Sequence, residues 1–117
     1  MKVNEIAALI DANIVCGSDK AELEIDSAFG SDMMSDVLAF VNDRAVLLTG
    51  LVNAQVIRTA EMMDMPCIVF VRGKKPTEEM VELATERGII LLATELRMYE
   101  ACGKLYAAGL PARRDAR

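Results

Sequence analysis

Histidine and tryptophan are both missing from the 117 residues, and aromatic side chains make up only 4%. Without imidazole the chain lacks the commonest general base and a principal zinc ligand, so any catalysis would rest on carboxylates, lysine or tyrosine. So few rings leave little for bases to stack on, and a formal charge of −5 offers no basic face to a phosphate backbone. Nucleic acid is therefore not an expected partner. Cys16, Cys67 and Cys102 are odd in number, widely spaced and form no CxxC pair. Free thiols in a reducing compartment fit that pattern, and a disulfide framework or metal site does not. No apolar run approaches the ~20 residues that cross a bilayer, and the first residues lack the basic-then-apolar order of an export signal. A cytoplasmic chain with no metal, no cofactor and no membrane partner is the expectation.

What the chain does have is aliphatic mass. Hydrophobic residues reach 53% against 26% charged, and eight methionines help to fill a core that aromatics cannot. One domain is expected over residues 1–111, followed by a flexible basic tail over 112–117. Val3, Ile6, Leu9 and Ile10 recur at helical spacing, and Ile14 to Cys16 reads as a short strand. Leu23, Ile25 and Ser27 alternate with acidic residues, as on a half-wet edge strand spanning 23–28. Ala45–Leu48, Cys67–Val71 and Ile89–Leu92 are continuous apolar runs, the mark of strands buried on both faces. Helical patterns separate them: one capped by Ser35, one from Asn53 stopped by Met65-Pro66, and one with Pro76 in its first turn and ended by Gly88. A last helix carries Met98, Tyr99, Cys102, Leu105 and Tyr106 on one stripe, expected in the core or at an interface. Short links between apolar strands imply a three-layer α/β/α domain. Its sheet would be mainly parallel, with four to five strands and helices on both faces.

In such a sheet ligands collect beyond the C-terminal strand ends. The junctions expected there are Gly30-Ser31-Asp32, Thr49-Gly50 with the helix start at Asn53, Arg72-Gly73-Lys74, and Thr94. Hydroxyls, glycines and a small basic cluster suit an anion at a helix N-terminus. The glycines match neither GxGxxG nor GxxxxGK[ST], so no nucleotide fingerprint specifies the ligand. No catalytic residue can be assigned. Paired methionines, Met33-Met34 among them, suggest an adaptable contact surface.

The runs Ser27–Phe40 and Leu47–Ala60, with Cys67–Gly73 and Thr77–Glu79, resemble a free-standing DRTGG domain. The likeness covers roughly residues 1–111. Such domains occur in CBS-containing pyrophosphatases and are similar in fold to the N-terminal domain of HPr kinase/phosphorylase. The resemblance implies a non-catalytic regulatory module, a homodimer that also contacts a larger regulated protein. The alternative it leaves open is a sensor of a small anionic ligand, an adenine nucleotide or phosphate. The Asp-Arg that helps to name the family aligns with Leu51-Val52, and the Thr-Gly-Gly with Val71-Arg72-Gly73. Apolar residues where the family places charge make Leu51 and Val52, with Met33 and Met34, candidates for an interface.

Overall fold

The computed structural model describes residues 1–113. Helix α1 (Val3–Leu9) precedes strand β1 (Asn13–Cys16), and a single 3-10 turn over Ser18–Lys20 follows. Then come β2 (Ser27–Gly30), α2 (Met34–Leu38), β3 (Ala45–Thr49), α3 (Ala54–Met62), β4 (Cys67–Phe70), α4 (Glu78–Arg87), β5 (Ile90–Ala93) and α5 (Met98–Ala107). The five strands form one sheet in the order β1-β5-β4-β3-β2. β2 through β5 are parallel and β1 pairs antiparallel with β5. The expected mainly parallel three-layer architecture is the one observed.

The parallel strands are laid down in a single direction, so right-handed crossovers place α2, α3 and α4 on the same face. Strand order does not reverse anywhere within the parallel run, so the topological switch point that usually localises a ligand is absent from it. The central position belongs to β4, with β3 second from the edge. Period-two alternation divides the apolar strands between two cores. Val46, Leu48, Val69, Ile90 and Leu92 meet α1 and α5 through Ile6, Ile10, Ala101 and Leu105. Leu47, Ile68, Phe70 and Leu91 face the other side and meet Val37, Val56, Ile57, Met80 and Ala84. Burial on both faces is why these strands read as unbroken apolar runs.

Residues 23–26 do not form the expected sheet strand; β2 begins at Ser27. The alternation of Leu23 and Ile25 has a different partner. Val3 N donates to Leu23 O at 3.0 Å, Ile25 N donates to Met1 O at 2.8 Å, and Lys2 bridges Glu24 antiparallel. This segment pairs with the first residues of the chain. β2 itself is the edge strand, and its outer side is partly covered: Ala28 N donates to Pro111 O at 3.0 Å, and Ala28 bridges Ala112. Arg113 pairs with Asp43 at 2.7 Å. The remainder of the expected basic tail lies outside the described residues.

Helix ends follow local chemistry. Asn53 and Thr77 are N-caps whose side chains accept from Val56 N and Met80 N, at 3.3 and 3.2 Å. Gly88 closes α4 in the left-handed conformation at φ 71°. Helix α2 departs from expectation. Ser35 lies within its first turn, Met33 takes the cap position, and Ser31 Oγ accepts from Met33 N at 3.0 Å.

Candidate functional site: the C-terminal edge of the sheet

Because β2 to β5 are parallel neighbours, their C-terminal ends bring the four expected junctions onto one edge. Thr49 ends β3, and its hydroxyl donates to Asp32 Oδ1 at 3.1 Å while accepting from Leu51 N at 3.1 Å. The buried Gly50 amide donates to the same Asp32 oxygen at 2.6 Å. Asp32 arrives from the turn after β2, where Ser31 N donates to Leu48 O at 3.0 Å. The amide and hydroxyl that would hold an external anion are thus already engaged by a carboxylate of the chain. On the far side of that carboxylate, Arg72 Nη2 stands 3.6 Å from Asp32 Oδ2.

Arg72 is held there by its backbone. Arg72 and Gly73 have φ of 62° and 71°, and Lys74 N donates to Val71 O at 3.1 Å, the geometry of a tight turn with two left-handed central residues. Gly suits such a position and Arg does not, so the turn carries local strain. Two bonds to the segment after β5 maintain it: Arg72 N to Leu96 O at 2.8 Å and Gly73 N to Thr94 O at 3.0 Å. The Arg72 guanidinium lies against Gly50, where a Cβ would overlap it. At Gly73 a Cβ would stand 2.8 Å from Glu95 Oε1.

Thr94 is buried and structural. Its hydroxyl donates to Ile10 O at 2.6 Å and accepts from Leu96 N at 3.2 Å, tying the end of α1 to the end of β5. Lys74 is exposed and shares a small recess of about 60 Å³ with Lys75, Asp11 and Glu95, so the basic cluster has acidic neighbours. Asn53 is engaged in capping α3, and Gly30 faces α5, its absent Cβ leaving room for Cys102 Sγ at 3.0 Å. Of the four candidate interface residues Met33 stands out, 60% exposed, whereas Met34, Leu51 and Val52 are partly buried against the α2–α3–α4 core. Among the described residues no cluster of acidic and thiol side chains could hold a metal, and no helix is long and apolar enough to cross a membrane.

One feature was only half read from the sequence: the tyrosine stripe of α5, expected in the core or at an interface. Tyr99 and Tyr106 are 92% and 68% exposed, which excludes the core half of that expectation. They flank an apolar groove of about 350 Å³ that includes Gly103, Gly30, Pro111 and Ala112. The signal available in the sequence was Gly103, an unforced glycine inside a helix.

The family model described as HPr Serine kinase N terminus matches residues 48–107, just over half of the chain. Among solved structures the fold is similar to the CBS and DRTGG domains of the regulatory region of a Clostridium perfringens pyrophosphatase, complexed with the activator diadenosine tetraphosphate. The TM-score is 0.72 at 15% identity, covering 94% of this chain and 47% of that one. The chain therefore spans about half the length of that relative. No curated protein matches it. With the matched region running from the end of β3 to the end of α5, the chain belongs to the HPr serine kinase N-terminus family and has the DRTGG-like fold.

Proposed function

We propose that this chain is a non-catalytic regulatory module, a homodimer that contacts a larger protein in the cytoplasm. The observation that carries the reading is a fold likeness over 94% of the chain to a segment of a regulatory region. The state of the sheet edge supports it. The polar groups of Thr49, Gly50, Thr94 and Gly73 are engaged in bonds that hold strand ends together, an arrangement suited to positioning surfaces. Exposed Met33, Phe40, Met62, Tyr99 and Tyr106 supply apolar area that a small domain leaves uncovered when alone. Light scattering in line with size exclusion tests the dimer. A mass above 12.8 kDa that rises with concentration is expected, and a strict monomer throughout contradicts it.

The second reading is an anion sensor at the same edge. It is favoured by Asp32, a carboxylate seated on a strand-end amide and hydroxyl with Arg72 beyond it. A phosphate would displace Asp32 and take over Gly50 N, Thr49 and Arg72, with Lys74 beside it. The relative of known structure was solved with a nucleotide activator. Thermal unfolding with ATP, ADP, diadenosine tetraphosphate and inorganic phosphate tests this. Stabilisation that is lost in Arg72→Ala supports the site, and no shift with any of the four removes it.

A further inference from the structure

Helix α5 carries a cost that the isolated chain does not explain. Gly103 lies in the helix interior, where glycine is about 1 kcal/mol worse than alanine. A Cβ built on it meets nothing within 4 Å, so no neighbour in this chain requires a glycine there. At about 100° per residue, Tyr99, Gly103 and Tyr106 fall within about 60° of one another on the outward side. The two tyrosines stand about 10.5 Å apart along the axis, one either side of the glycine. Cys102 and Ala107 border the same stripe, which is uncharged throughout. The surface thus combines two projecting rings with a depression between and beside them, the groove of about 350 Å³.

We infer that α5 pairs with α5 of a second copy of this chain, antiparallel, across a two-fold axis near Cys102–Gly103. This rests on the homodimer reading and specifies its interface. A two-fold contact requires one patch to be its own complement, and knob beside hole meets that condition. In the antiparallel arrangement Tyr99 of one chain opposes Tyr106 of the other, and Gly103 lets the helices approach closely at the crossing. Charge placement agrees. Glu100 and Lys104 are exposed on one flank of the stripe, one turn apart and nearly symmetric about the same centre. A two-fold axis across antiparallel helices sets like flanks together with their order reversed, so each Glu100 comes to the partner's Lys104 level. A parallel pairing would instead put the two Glu100–Lys104 flanks on opposite sides of the contact, where they could not pair. The two tyrosines offer roughly 300–400 Å² per chain, a large share of the ~800 Å² that one side of a stable interface buries. The remaining area comes from the groove walls at Gly30, Pro111 and Ala112, contributed by the covered edge of β2.

Sedimentation equilibrium on the full chain tests the inference, with wild type, Gly103→Gln and Tyr99→Ser compared. Wild type is expected to dimerise, and both variants to weaken that association roughly 30-fold or more. At dilutions where all are monomeric, Gly103→Gln is expected to melt at or above the wild-type temperature, since glutamine is the better helix former. A purely structural role for Gly103 would lower that temperature instead. A wild-type chain that stays monomeric overturns this surface together with the homodimer reading. A wild-type dimer unaffected by both variants overturns the α5 surface alone and leaves the dimer to another face.

Discussion

Asp32 joins three strand ends with one carboxylate, accepting from Thr49 and Gly50 and facing Arg72. The ion pair is about half exposed on both sides and contributes little; the buried Gly50 amide matters more. Asp32→Ala leaves that amide without its acceptor and is expected to cost about 1–3 kcal/mol in urea unfolding. Asp32→Asn keeps an acceptor and is expected to lose less than about 1 kcal/mol, so the two variants separate hydrogen bond from charge. Gly50 is outside the left-handed region, and its missing Cβ serves the Arg72 guanidinium lying over it. That Asp32, Gly50 and Arg72 share one sheet edge was legible in the sequence; the bonds among them were not, because the three lie far apart along the chain and only sheet order makes their strands neighbours. Cys67 gives a second test at this scale. Burial among the strands pushes its thiol well above the ordinary range, with proximity to Cys16 adding to the effect. The folded chain therefore holds a proton that the unfolded chain releases from about pH 8.5 upward, so stability falls as pH rises through that range. The slope expected from Cys67 is about 1.4 kcal/mol per pH unit, and Cys67→Ala should flatten it.

Elements whose ends are set by local chemistry were the readable ones. The helix from Asn53, the stop before Pro66 and the Gly88 cap each follow from one residue's conformational preference. The start of α4 falls later than expected: Pro76 precedes the helix rather than entering its first turn, and Thr77 is the cap, above a first turn carrying Glu78 and Glu79. Thr77→Ala is expected to destabilise the fold by about 1 kcal/mol and Thr77→Ser by little, measured as a change in denaturation midpoint at constant slope. Elements whose pattern depends on a distant partner were misread. Leu23 and Ile25 alternate because they run beside the first residues of the chain, not because they lie in the sheet. The α5 stripe is apolar on two adjoining sides. One is packed through Ala101 and Leu105, the other left bare at Tyr99 and Tyr106, and periodicity cannot tell the two apart.

For the molecule as a whole, sheet order decides the functional geometry. One-directional strand addition leaves no switch-point crevice, and it puts α2, α3 and α4 together on one face. The other face is left to α1 and α5, and α5 there carries the bare tyrosines. The α5 face combines an unforced glycine, exposed rings and exposed charges of both signs. Its partner is tested most directly by mixing Glu100→Lys chains with Lys104→Glu chains and measuring mass by sedimentation. In the antiparallel dimer each variant alone sets like charges against each other at both ends, whereas the mixture restores opposite charges at both. The mixture is expected to associate several-fold more tightly than either variant alone, with the gain shrinking as salt rises. Equal association in all three samples, or none in the wild type, would contradict the pairing.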